Sequence, residues 1–167
     1  MNIAVGKYRG FCFGVKRAVE MVEELLKSGP VYTIGEIIHN RAVVEDLRAR
    51  GAVPVTSAED LPNGARAVVR AHGVPVETLA LCKKKGVQVF DATCPFVARI
   101  HGIVQREAQK GRDVVIVGNA LHPEVVGIRS RAGERAFVVY DRSEVQKLEN
   151  GAKVSVVAQT TITKMQF

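Results

Sequence analysis

The sequence predicts an α/β protein in which a small parallel sheet flanked by helices is built more than once. Two observations carry this. Short apolar runs rich in β-branched residues alternate with stretches of helical periodicity along the chain, as parallel sheets with crossover helices require. One spacing also recurs: His39 follows Cys12 by 27 positions, and His122 follows Cys94 by 28. Each cysteine opens a helix-like run, and each histidine follows a strand-like run. A further strand-like run in each copy ends at a polar reactive residue, His72 in the first and Thr160 in the second. In parallel α/β sheets ligands bind in the crevice at the carboxyl ends of the strands, so these residues are expected to converge.

Taken in order, residues 2–6 (NIAVG) read as a short buried strand. Val15, Val19, Val22, Leu25 and Leu26 then recur at helical spacing, and Gly29 with Pro30 stops that helix. VYTIG (31–35) is a strand, 41–50 a short amphipathic helix closed by Gly51, and AVPV (52–55) a strand. After a polar loop, ARAVVRA (65–71) is a strand, 76–85 a helix closed by Gly86, and VQVFD (87–91) a strand. The second round opens at Cys94–Pro95, since proline suits the first position of a helix. Val97, Ile100, Val104 and Ala108 line one face of that helix, which ends at Gly111. DVVIVGN (113–119) is a strand, Pro123 opens another helix, and AFVVY (136–140) and KVSVVAQ (153–159) are strands.

The internal register predicts an unclosed repeat. Cys94 follows His72 by 22 residues, and the same step from Thr160 passes Phe167. Residues after Thr161 are expected to open a helix. The expected organisation opens on a segment 1–12, with the first strand and Cys12. A first lobe spans 13–93, and a second, cut short, spans 94–167.

With 167 residues of which 47% are apolar, the chain can bury a core, and disorder is excluded as its main state. No run is apolar for long enough to span a membrane, and the first residues lack a signal-type segment. The 3 cysteines form no C-x-x-C pair, and their odd number disfavours a disulfide framework. A cytoplasmic protein is expected. The net charge of +7 suits an anionic partner, but no basic block with interleaved aromatics suggests nucleic acid. Neither G-x-G-x-x-G nor a phosphate-binding G-x-x-x-x-G-K-[ST] loop is present.

Cys12 and Cys94 share an address at the start of a helix, where negative charge is favoured, and Lys16 and Arg17 stand beside Cys12. Thiolates bind soft metals and iron–sulfur clusters; free cysteines also pack as small apolar residues. Cys82, inside a helix and without a counterpart, is expected to be packing. His39, His72 and His122 could each donate to a phosphate or bind metal, or simply cap a helix. His101 falls within a helix and is expected to be structural or solvent-facing. Glu124 fits either a favourable first-turn carboxylate or a proton donor. Thr160 and Thr161 by spacing favour a helix cap.

Six segments carry a more specific signal: RGFCFGVKRAV, IIHNRAVVEDLRARGA, RAHGVP, VFDATCPFV, LHPEVVGI and VVAQTTIT. In this order they resemble the LytB-type hydroxymethylbutenyl diphosphate reductase family, the last step of the methylerythritol phosphate route to isoprenoids. The resemblance implies three α/β lobes with pseudo-threefold symmetry around a [4Fe–4S] cluster, with segment 1–12 belonging to a third lobe that is otherwise missing. Cys12 and Cys94 would be two of its ligands, the third being absent from this chain. His39, His72 and His122 would surround the diphosphate of a small allylic substrate. His122 and Glu124 would deliver protons, with Glu124 the donor, and Thr160 would lie near the substrate's hydroxymethyl end. The implied reaction is reductive dehydroxylation, with electrons from a protein such as ferredoxin or flavodoxin. The shortness of the chain implies an inactive fragment. A mononuclear Cys/His metal protein and a non-redox diphosphate-binding module are the alternatives.

Overall fold

Alternation of strand and helix is realised as two separate parallel sheets in a computed structural model that describes residues 3–6, 9–147, 153–163 and 165. The first unit runs α1 (Phe13–Leu26), β1 (Val31–Ile34), α2 (Arg41–Ala49), β2 (Ala52–Val55), a 3-10 turn (Ala58–Asp60), β3 (Arg66–Val69), α3 (Val76–Lys84) and β4 (Gln88–Asp91). The second repeats its helix–strand–helix–strand–strand opening as α4 (Pro95–Gln109), β5 (Asp113–Val117), α5 (Pro123–Arg129), β6 (Ala136–Val139) and β7 (Val154–Ala158). Further 3-10 turns lie at Gly133–Arg135 and Arg142–Lys147.

The sheet orders are β2-β1-β3-β4 and β6-β5-β7, every pair parallel. In each, the chain leaves the central strand for one neighbour and then crosses back to the other. A topological switch point therefore lies between β1 and β3, and again between β5 and β7, which is where such sheets open a crevice.

Alternation along the strands divides the core. Val68 faces α1 and α2, joining Ala18, Val22 and Leu47, while Ala67 and Val69 face the other side with Leu61 and Cys82. Cys82 is fully buried there, as packing. In the second sheet Val114 and Ile116 meet Val104 of α4 and Val125 and Ile128 of α5. Burying each such side chain contributes about 1.5–3 kcal/mol.

Helix starts follow their local chemistry. Asn40 caps α2, its side chain accepting from Val43 N at 3.2 Å, a contribution of about 1 kcal/mol. Pro95 and Pro123 take the opening positions of α4 and α5, where a missing N–H costs nothing.

Two expectations are corrected. Residues 3–6 belong to neither sheet and are exposed, so the strand over 2–6 is not found; Asn2 lies outside the described residues. An apolar run becomes a strand only where an edge pairs with it. Past Thr161, the described residues 162, 163 and 165 form no helix, and 164, 166 and 167 lie outside the described residues.

His101 lies on the buried stripe of α4 with Val97 and Val104. Its ring fills space that a side chain on Gly73 would need and rests against Gly127. A Cβ on Gly73, which has φ +73°, would come within 2.6 Å of Cε1, and one on Gly127 of α5 within 3.5 Å of Nε2. The imidazole thus sits between the loop after β3 and helix α5, joining the two units. Among the described residues no helix is long and apolar enough to cross a membrane.

Gly118 ends β5 with no room for a side chain: a Cβ would lie 2.8 Å from Gln159 Cβ and 2.9 Å from both Gln159 Oε1 and Val125 Cγ2. Gly118→Ala is expected to destabilise the chain by about 1–3 kcal/mol, read as a lower urea midpoint at unchanged slope. An unchanged midpoint would show that this strand end yields freely.

Candidate functional site

Every reactive residue singled out by the recurring spacing leaves a strand at its carboxyl end or caps the helix that follows. The chain departs β1 through Gly35, in the left-handed region at φ +78°, and reaches His39 just before the cap residue Asn40. After β3 a turn closed by Gly73 N donating to Arg70 O at 2.9 Å carries His72. After β5, Asn119 Oδ1 accepts from Leu121 N at 2.9 Å, and the chain turns so that His122 becomes the N-cap of α5.

These three histidines meet. Ring centroids lie 4.6 Å apart for His39–His72, 5.4 Å for His72–His122 and 6.3 Å for His39–His122. One ring nitrogen of each lies within 4.8 Å of the others. His39 is exposed, and the other two are half-buried. His72 Nδ1 is buried without a hydrogen-bond partner. His122 Nδ1 accepts from Glu124 N at 3.2 Å, so its neutral ring carries the proton on Nε2.

Burial, reinforced by the charges of His39, Arg70 and His122, lowers the pKa of His72 to about 4. Burial also lowers that of His122, opposed by Glu124 and assisted by His39 and Arg70. Near neutral pH these two rings are therefore uncharged hydrogen-bonding groups.

Glu124, on the first turn of α5, is 1% exposed. Thr160, which follows β7, donates its backbone N–H to Oε1 at 2.7 Å and its hydroxyl to Oε2 at 2.8 Å. The carboxylate is thereby fixed across the β5/β7 switch point, next to His122. The cap expected of Thr160 from spacing is not seen; its side chain bonds to Glu124. Gln159 braces the same corner: Oε1 accepts from Asn119 N at 3.1 Å and Nε2 donates to Thr161 Oγ1 at 2.7 Å.

Cys12 and Cys94 are the N-cap residues of α1 and α4, and neither thiol caps its helix. The two helix starts touch, for a Cβ on Gly14 would lie 2.6 Å from Cys94 Sγ. Three bonds hold the second cysteine's loop. Cys94 N donates to Ala71 O at 2.9 Å, beside His72. Arg17 of α1 donates to Thr93 O at 3.1 Å and to Asp91 O at 3.0 Å.

Cys82 and His101 stand outside this constellation. Residues not singled out from sequence include Arg70 and Gln159; Arg17, expected only as a charge beside Cys12, also braces the loop before Cys94. Their places in the sequence, Arg70 two residues before His72 and Gln159 directly before Thr160, were the available signal.

Fold and site together define a repeated parallel α/β protein with a histidine-lined crevice at its switch points and paired cysteine caps. The chain belongs to the LytB family: the family model described as LytB protein matches residues 3–167. A curated relative from Geobacter sp. (strain M21), 4-hydroxy-3-methylbut-2-enyl diphosphate reductase, is 41% identical over 96% of this chain and 57% of its own length. The reductase of that name from Caldanaerobacter subterraneus subsp. tengcongensis is 40% identical over 100% of this chain and 60% of its own. The solved E-1-hydroxy-2-methyl-but-2-enyl-4-diphosphate reductase of Plasmodium falciparum superposes with a TM-score of 0.92 at 35% identity, covering 96% of this chain and 52% of that one. The chain thus spans little more than half the length of these relatives.

His72 and His101 both have pKa values lowered to about 4 from 6.5, by burial first in each case. Below pH 6.5 the unfolded chain binds protons that the fold refuses, so stability falls as pH falls toward 4. The urea midpoint is expected to drop steadily from pH 7 to pH 5, before most carboxylates titrate. A flat midpoint over that range would show that these rings protonate freely in the fold.

Proposed function

We propose that the chain serves a 4-hydroxy-3-methylbut-2-enyl diphosphate reductase, which removes the substrate's hydroxyl reductively to give isopentenyl and dimethylallyl diphosphates. One observation carries the reading: three imidazoles converge at strand ends beside a buried carboxylate fixed by Thr160. Imidazole N–H groups suit the diphosphate oxygens, and a buried, oriented carboxyl suits proton delivery. The names and structural likeness of the LytB relatives agree with it.

The donor set fits an iron–sulfur cluster. Two thiols stand uncommitted at adjoining helix starts, and Gly14 leaves the space that the Cys94 sulfur uses. Cys12 and Cys94 would hold a [4Fe–4S] cluster, with a further ligand from the part of the relatives' length outside this match. When bound, the cluster supplies the two electrons of the reduction, received from a ferredoxin- or flavodoxin-type donor. His39, His72 and His122 hold the diphosphate. Glu124 carries a proton to the departing hydroxyl, and Thr160 keeps both carboxylate oxygens in place. Without the further ligand this chain would hold cluster weakly and turn over poorly.

A divalent metal bound by the three histidines is the second reading, since their nitrogens lie close enough together to share an ion. Two measurements decide. After anaerobic treatment with iron and sulfide, a broad sulfur-to-iron absorbance is expected that Cys12→Ser or Cys94→Ser abolishes and Cys82→Ser leaves intact. A colourless protein with stoichiometric zinc supports the metal reading instead. In a turnover assay of the protein extended to its relatives' full length, Glu124→Gln is expected to slow the reaction by roughly 10²–10⁴-fold while substrate affinity holds. Undiminished turnover would remove Glu124 from proton delivery.

A further inference from the structure

Arg70 stands just past β3, two residues before His72. Its guanidinium lies over Gly35 at the end of the neighbouring strand β1: a Cβ there would come within 2.6 Å of Nη1 and 3.1 Å of Cδ and Cζ. The side chain is half-buried, and Nε is wholly buried with no hydrogen-bond partner. Among the described residues no carboxylate forms an ion pair with it. Arginine stays protonated even when burial lowers its pKa, as it does here. A sheltered charge lacking both counter-ion and full hydrogen bonding is costly and calls for a partner.

The second buried nitrogen without a partner at this strand end is His72 Nδ1. Arg70 Nε is a donor that lacks an acceptor, and the neutral His72 ring can present a donor beside it. Arg70's positive charge also reaches His72 and His122, disfavouring a second positive charge on either ring. For the same reason it opposes a divalent cation among the three imidazoles.

We propose that Arg70 is a further ligand-binding residue of this site, the fixed positive charge that holds the diphosphate end of the substrate while the histidines donate hydrogen bonds to it. The proposal rests on the reductase reading and adds to it the source of the attraction. A guanidinium presents a planar fork that meets phosphate oxygens in pairs, and Gly35 supplies the open floor on which that fork lies.

Titration calorimetry with inorganic diphosphate at neutral pH tests this on the whole chain. Arg70→Met is expected to weaken binding roughly tenfold to a hundredfold, the range for a charged hydrogen bond, and to flatten its dependence on salt. Arg70→Lys should keep the salt dependence and recover part of the affinity, which a merely structural arginine would not produce. Circular dichroism checks folding, and Arg70→Gln replaces Arg70→Met if the latter does not fold. Diphosphate binding by wild type that the neutral variants match within twofold overturns the role of Arg70 and leaves the site standing. No diphosphate binding by wild type overturns both.

Discussion

Parallel strands place all their carboxyl ends on one edge. A chain that crosses first to one side of its central strand and then to the other must open a gap between the two crossovers. That constraint governs this molecule twice. The gap between β1 and β3 is flanked by His39 and His72, and the gap between β5 and β7 by Glu124 and Thr160. The strands carry no chemistry of their own. They bury valines and isoleucines on alternating sides and deliver loops to fixed points, where polar residues stand without disturbing the core.

The charge pattern follows from how deeply each loop sits. His72 and His122 are sheltered enough that the neutral imidazole wins, while Arg70 is of a residue type that keeps its proton regardless. Glu124 is the most buried of the reactive groups, and both its oxygens are occupied by one residue, Thr160. Permanent charge, neutral donors and a carboxylate therefore occupy separate places, and each place is set by backbone geometry. That order suits a ligand with an anionic end and a reactive end.

Much of the fold was legible in sequence. Runs such as Ala52–Val55 and the helix opened by Pro95 end where composition says they must, because turn residues and proline act locally. Strand ends were read too long at 65–71 and 113–119, since Arg70 and Gly118 turn the chain through bonds to distant or folded-back partners. The run at 2–6 failed for the same reason in reverse: its composition suits a strand, but pairing is not a local property. The cysteine and histidine addresses were visible because the spacing repeats. The bond between Thr160 and Glu124 spans 36 residues and leaves no periodic trace, so a local cap was the better guess from sequence. Arg70 carries no distinguishing mark in the sequence, because a basic residue closing a strand ordinarily reaches water. His101 could have been placed, for it shares the helical stripe of Val97 and Val104.

The wedged imidazole of His101 gives the molecule a gauge. Its ring meets the loop that carries His72 at Gly73 and the helix that His122 caps at Gly127. Gly73 lacks the atom that would push it away, and Gly127 sits in ordinary contact with it. The thickness of one aromatic ring therefore sets how far apart two site histidines stand, although His101 itself is outside the crevice. A bulkier or slimmer side chain at that point would widen or narrow the mouth without altering any group that faces it. Selection could thus adjust the calibre of this site from behind, through the filling of a joint, while its chemistry stays unchanged.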